Sequence, residues 1–117
     1  MTVAMVKKIS EIVQEEVRED FVKGTKIQWL VTKKDGAPTF AMRRFVVAPG
    51  GEINLHQHPW EHEVYIISGK GVVLGEKEDI PVEKDSFAYV PPNEKHGFKN
   101  TSKTENFVFL CMIPHPK

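Results

Sequence analysis

The chain has 117 residues, 40% hydrophobic and 27% charged, which suits one domain around one core. Lys+Arg and Asp+Glu are both 16, so the formal net charge is zero, and no basic excess points to nucleic acid or an anionic membrane surface. There is no run of ~18 apolar residues for a transmembrane helix. Met1 to Lys8 holds no apolar stretch of signal-peptide length. A lone cysteine, Cys111, excludes an intramolecular disulfide framework and a cysteine-rich zinc site. These absences predict a cytoplasmic protein. Low net charge favours self-association over repulsion.

Residues 1–24 form an ambiguous N-terminal segment. Val6, Ile9, Val13 and Val17 recur at helical spacing, which puts an amphipathic helix over 5–23 slightly ahead. Ile9, Ile12, Val13 and Val17 fit one or two edge strands, swapped or local, almost as well. Residues 25–113 read as short strands. Lys26 to Thr32 is β-rich and precedes the turn Lys34-Asp35-Gly36. Thr39 to Val47 follows Pro38, Pro49-Gly50-Gly51 punctuates the run, and Glu52 to His58 leads onward. Glu63 to Ile67 meets Ser68-Gly69-Lys70-Gly71, a hairpin signal after which Val72 to Leu74 is expected to pair back. Asp79 to Val82, Ser86 to Val90, Gly97 to Asn100 and Asn106 to Ile113 complete the series, and residues 114–117 are a tail. Many short strands broken by Gly and Pro turns predict an all-β sandwich or barrel.

Four of the five histidines form one spaced set. His56, His58 and His62 lie in H-Q-H-P-W-E-H, and His96 ends P-P-N-E-K-H. Imidazole is the commonest neutral metal ligand. In an extended strand His56 and His58 share a face, ~6 to 7 Å apart. Pro59 is expected to end that strand, and a bend can return His62 to the same ion.

These residues resemble the cupin family, whose first motif is G-x5-H-x-H-x3,4-E-x6-G. Gly50, His56, His58, position 62 and Gly69 keep every spacing, but His62 stands in the glutamate slot. Glu63 is the alternative ligand, at the longer spacing, with only five residues then left before Gly69. The second motif, G-x5-P-x-G-x2-H-x3-N, meets Asp85, Pro91, Asn93, His96 and Asn100, with Asp85 and Asn93 in place of glycines. Asn tolerates positive φ, and Asp is at home in turns. The similarity is strongest to small single-domain cupins with four histidines. It implies a cupin-type β-barrel (a jelly roll, or double-stranded β-helix) holding a divalent transition metal. Manganese or iron is favoured, with zinc, nickel or copper possible occupants.

Four neutral imidazoles leave the full charge on the ion, raising Lewis acidity and favouring an anionic ligand. Arg43 shares a face with Ala41, Phe45 and Val47, whereas Arg44 shares one with Met42 and Val46. One of them must point inward or be covered by a partner. Arg43 is the candidate anion anchor, with a barrel-rim or dimer contact as its alternative role. Phe107, Phe109, Cys111 and Ile113 share one face, and Phe98 shares that of His96. Phe98, Phe109 and Cys111 are therefore candidate pocket walls, though core packing explains Cys111 as well. Trp60 is a candidate cover for the mouth, or a structural turn residue. Glu61 and Glu63 are candidates for orienting the imidazoles.

The expected function is a metal-dependent oxygenase-type enzyme on a small, anionic organic substrate. The alternatives are an isomerase or lyase and a non-catalytic metal or small-molecule binding module. Ile53 and Leu55 alternate with His56, so both are expected to face away from the metal and need cover, which predicts a homodimer.

Overall fold

The computed structural model describes residues 4–115. The strands are β1 (Glu15–Glu16), β2 (Val22–Val31), β3 (Phe40–His56), β4 (His62–Ser68), β5 (Lys70–Gly75), β6 (Ile80–Glu83), β7 (Phe87–Val90), β8 (His96–Asn100) and β9 (Phe107–Pro114). Ile9–Glu11 and Lys33–Asp35 are 3₁₀ turns. The sheet runs β6-β5-β8-β3-β9-β4-β7, with β2 against β3 and β1 against β2. It curls into the all-β, barrel-like form expected from the sequence. Among the described residues no helix is long and apolar enough to cross a membrane.

β3 organises the sheet. Its apolar alternation turns Ala41, Phe45, Val47 and Ile53 inward. Its first half is flanked by β2 and β9, its second by β2 and β8. Pro49-Gly50-Gly51 does not divide it as the sequence predicts. The strand runs straight through, because Gly50 takes the left-handed conformation at φ 80° and bends the ribbon without ending it.

Three further expectations are corrected. The N-terminal helix is absent. The segment makes one 3₁₀ turn, then β1 paired to β2. Val6 and Val13 are 90% and 71% exposed, so the helical stripe has no core to face, and packing rather than periodicity decides. Gln28 fastens this segment by donating to the carbonyls of Ile9 and Ile12 at 3.1 and 2.9 Å. Second, β4 and β5 do not form a hairpin. β4 pairs with β7 and β9, and β5 with β6 and β8. The tight turn at Gly69 carries the chain from one part of the sheet to the other.

The third correction concerns the approach to the site. Ile53 pairs with Phe98, but His56 pairs with His96, so β3 spends three steps where β8 spends two. This one-residue bulge resets the alternation. Ile53 is buried, Leu55 is 41% exposed, and Ile53 and His56 line the same cavity. Without the bulge, side chains three residues apart would face opposite ways.

Gly97 makes the bulge possible. A Cβ at Gly97 would lie 2.4 Å from the Ile53 carbonyl oxygen and 3.0 Å from the Asn54 carbonyl carbon. Both positions where the family motif has glycine and this chain does not, Asp85 and Asn93, adopt positive φ, 69° and 67°. Asp85 also accepts a hydrogen bond from the Tyr65 hydroxyl at 2.8 Å.

Gly97→Ala is expected to lower stability by about 1–3 kcal/mol, since backbone and not a flexible side chain blocks the added methyl. Thermal or denaturant unfolding measures this, and an unchanged midpoint would show that the ladder can relax around the methyl.

Candidate metal centre

Local geometry brings all four histidines to one end of the barrel. His56 ends β3, His62 begins β4 and His96 begins β8. His58 lies in the connection beyond β3, where its carbonyl accepts from the Asn93 backbone N–H at 2.7 Å. The loop preceding His96 is thereby tied to the segment carrying His58. On β4, His62, Val64 and Ile66 are buried while Glu63 and Tyr65 are exposed. Glu63, the alternative ligand, thus lies on the outer face of the strand, away from the other histidines.

The ring centres of His56 and His96 are 4.3 Å apart, His62 and His96 4.5 Å, His56 and His58 4.9 Å, His58 and His62 5.3 Å, and His58 and His96 6.0 Å. Imidazoles sharing one ion through nitrogens at ~2.1 Å put their centres roughly 4.5–6.5 Å apart. Four of the five separations fall in that range, and His56–His96, at 4.3 Å, lies just below it. Among the described residues no three His, Cys, Asp or Glu side chains already close as a ligand shell.

Hydrogen bonding distinguishes the two ring nitrogens. Nδ1 of His56 is 2.8 Å from the Asn54 carbonyl oxygen, and Nδ1 of His96 is 2.9 Å from that of Glu94. A carbonyl accepts, so Nδ1 carries the proton in both rings and Nε2 keeps its lone pair for a ligand. Backbone carbonyls, not Glu61 or Glu63, thus orient these rings. Among the described residues the buried side-chain nitrogens without a partner are His62 Nδ1, His96 Nε2, Arg43 Nε and Trp60 Nε1, and the first three belong to residues lining one cavity. Each such atom costs about 1–3 kcal/mol, and a cluster of them is what a ligand would satisfy.

Burial is the first cause that keeps all four imidazoles below their ordinary pKa. His62 falls to about 3, with the charges of His96 and Arg43 adding to burial. His96 falls to about 4, although its bond to the Glu94 carbonyl pulls the other way. In His56 the Asn54 carbonyl opposes burial and Arg43 reinforces it, and in His58 both His56 and Arg43 reinforce it. Neutral rings are the form that binds metal, and they hold that form here without a metal's help.

The cavity of about 230 Å³ also takes in Arg43, Phe98, Phe109 and Cys111. Arg43, not Arg44, is the inward arginine. Arg44 donates to Gln28 Oε1 at 2.9 Å, beneath the N-terminal segment. Arg43 donates from Nη2 to Cys111 Sγ at 2.9 Å, and its guanidinium lies over the Phe45 and Trp29 rings, 4.9 and 5.7 Å from their centres. Burial raises the Cys111 pKa against the pull of Arg43, so the group is a thiol at neutral pH. Trp60 is not brought into the cavity. Its ring lies flat on His58 at 4.5 Å and backs that imidazole.

The cavity also contains Glu19, Phe21 and Trp29, which the sequence reading did not single out. Trp29 was findable, since Thr25, Ile27 and Trp29 alternate along one β face. Phe21 precedes β2 in no regular pattern. Its carbonyl accepts from the Asn54 N–H at 2.7 Å, and its ring stacks on His56 at 4.7 Å.

A small barrel whose end joins converging imidazoles to an apolar, arginine-bearing wall defines the class of protein. A family model described as "Cupin domain" matches residues 43–113, and the chain belongs to that family. It is 32% identical over 71 residues to an oxalate-binding protein of Thermotoga maritima, covering 60% of this chain and 58% of that protein. The match thus spans less than two thirds of that relative's length. The structure is similar to a polyketide cyclase from Streptomyces resistomycificus, with TM-score 0.86, 30% identity, and 94% of this chain and 80% of that one covered. It is also similar to a Thermotoga maritima protein described as a predicted oxalate decarboxylase, with TM-score 0.84, 28% identity, and 96% and 100% covered.

The depressed histidines set a pH dependence. Their folded pKa values lie below the unfolded value of 6.5, so the unfolded chain binds more protons between the two. Their contribution to stability is complete above about pH 6.5 and is lost as pH falls through about 4 and then about 3. Denaturant midpoints of metal-free protein are expected to fall over this window, and His62→Gln is expected to flatten the slope. An unaltered slope in that variant would place the acid sensitivity elsewhere.

Proposed function

We propose that His56, His58, His62 and His96 hold a divalent transition metal, manganese or iron, with zinc, nickel or copper as alternative occupants. We further propose that the protein is an oxygenase-type enzyme acting on a small anionic organic substrate. The observation that carries this reading is the cluster of unpaired buried nitrogens facing one cavity, two of them on histidines whose rings lie 4.5 Å apart.

Bound there, the metal would supply Lewis acidity and, as manganese or iron, one-electron chemistry toward O₂. The chain's own groups do the rest. The Asn54 and Glu94 carbonyls fix two rings as Nδ1–H tautomers. Trp60 and Phe21 pack on His58 and His56 and limit water at their backs. Arg43 presents a fixed positive charge to an anionic group in the cavity, and its salt link to that anion is strengthened by the apolar wall.

The relatives support two other readings. The oxalate-binding protein supports a binding module without catalysis, and the polyketide cyclase supports non-redox chemistry with the metal as Lewis acid. Metal analysis of protein purified without chelator decides first. Near one equivalent per chain is expected, falling to background in His58→Ala, and the absence of metal even after reconstitution would defeat the reading. Oxygen uptake by manganese- or iron-loaded protein with a panel of small carboxylates and diols then separates the oxygenase from the other two. Uptake left unchanged by His58→Ala would show that the site does not produce it.

Arg43→Ala is expected to weaken binding of a carboxylate probe such as oxalate roughly tenfold or more, the worth of a charged hydrogen bond. Titration calorimetry measures it, and an unchanged affinity would remove Arg43 from the anion site.

A further inference from the structure

The cavity has two halves of different origin. Its histidine end comes from β3, β4, β8 and the connection beyond β3. Its opposite wall includes Phe21, Ile27 and Trp29, which come from β2 and the residues before it. These lie outside the segment 43–113 that the family model matches. The histidine end is therefore built by the segment that the family model matches, whereas Phe21, Ile27 and Trp29 come from the N-terminal third.

Aromatic rings from the matched segment line the cavity as well. Phe45, Phe109 and Phe98 form a continuous stack, with ring centres 5.2 and 4.5 Å apart and planes within 30° (25° and 29°). The Arg43 guanidinium caps the Phe45 end of the stack. The edge of His96 meets the Phe98 end, 6.2 Å away at 74°. Nearer the mouth, Trp29 lines the cavity yet keeps 43% of its surface exposed, and Arg43 also lies over its ring, 5.7 Å from the centre. Phe21 stands over His56, half-buried. A partly exposed indole beside a partly buried guanidinium with an unpaired Nε presents a flat apolar surface and a cation together.

We propose that the ligand of this cavity is a planar aromatic or conjugated molecule with an anionic oxygen group on one edge, and that Trp29 and Phe21 select it over small aliphatic dicarboxylates. The oxygen edge lies toward Arg43 and the histidines, and the ring lies against Trp29 and Phe21. A two-carbon dianion would meet Arg43 and the histidine end but leave the aromatic surface in water, gaining nothing from it. A conjugated acid uses both, because the aromatic faces favour stacked rings and bury apolar area as well. This rests on reading the cavity as the ligand site with the metal at its histidine end.

Titration calorimetry with 1-hydroxy-2-naphthoate and with oxalate tests the assignment, on manganese-loaded protein and on metal-free protein. The naphthoate is expected to bind at least tenfold more tightly than oxalate in the loaded protein. Trp29→Ala is expected to weaken the naphthoate roughly three- to tenfold, the worth of one aromatic pair, and to leave oxalate unchanged. Trp29→Phe is expected to restore most of the loss, which a general folding defect would not allow. Oxalate binding as tightly as the naphthoate, or equal losses of both ligands in Trp29→Ala, would overturn the proposal. If the protein takes up no metal, the metal reading fails by itself. The naphthoate preference must then persist on metal-free protein through Arg43 and Trp29, and its absence there would overturn the proposal as well.

Discussion

The ladder between β3 and β8 slips by one residue between Ile53 and His56, and the site depends on that slip. A regular strand would place Ile53 and His56 on opposite faces, so a buried Ile53 would exclude an inward His56. The bulge lets β3 first contribute an apolar side chain and then an imidazole to the same cavity. It also frees the Asn54 N–H from the ladder, and that N–H takes up the Phe21 carbonyl. One backbone irregularity thus sets His56 opposite His96 and brings the N-terminal segment over both. The close approach of β8 that permits it leaves no room for a side chain at position 97.

Electrostatics follows from this packing. Four imidazoles share a partly buried end of the barrel with a guanidinium, and burial and mutual repulsion together keep them uncharged. Arg43 itself is stabilised by contacts that carry no charge, the Phe45 and Trp29 faces and the Cys111 sulfur. The salt bridges found among the described residues, Arg18–Glu16, Lys23–Glu52 and Lys95–Glu76, leave Arg43 out. The cavity therefore holds a guanidinium beside histidines that burial keeps neutral.

Much of this was legible in the sequence. The H-x-H-P-W-E-H spacing and His96 identify residues that the fold gathers at one end. Strand alternation finds the inward phase of Arg43, Phe109 and Cys111. Asp85 and Asn93 mark turns of positive φ, because those side chains tolerate that region. The segment over 5–23 was open between helix and edge strand, and pairing of β1 with β2 decides for the strand, while the hairpin expected at Gly69 failed because a turn signal does not say which strand receives the chain. Two roles were open to Trp60, cover for the mouth or a structural turn residue, and its ring stacks flat on His58.

The sequence by itself determined the strand-rich class, the family and the four histidines that the fold gathers at one end, since these rest on side-chain chemistry and local periodicity. Only the tertiary structure decided that His62 rather than Glu63 faces inward, that Ile53 and His56 share a side, and that Phe21 and Glu19 join the cavity lining. Each of those depends on ladder register, which is set by pairing between distant strands. A shift of one residue reverses which face a side chain occupies, and no local pattern encodes it.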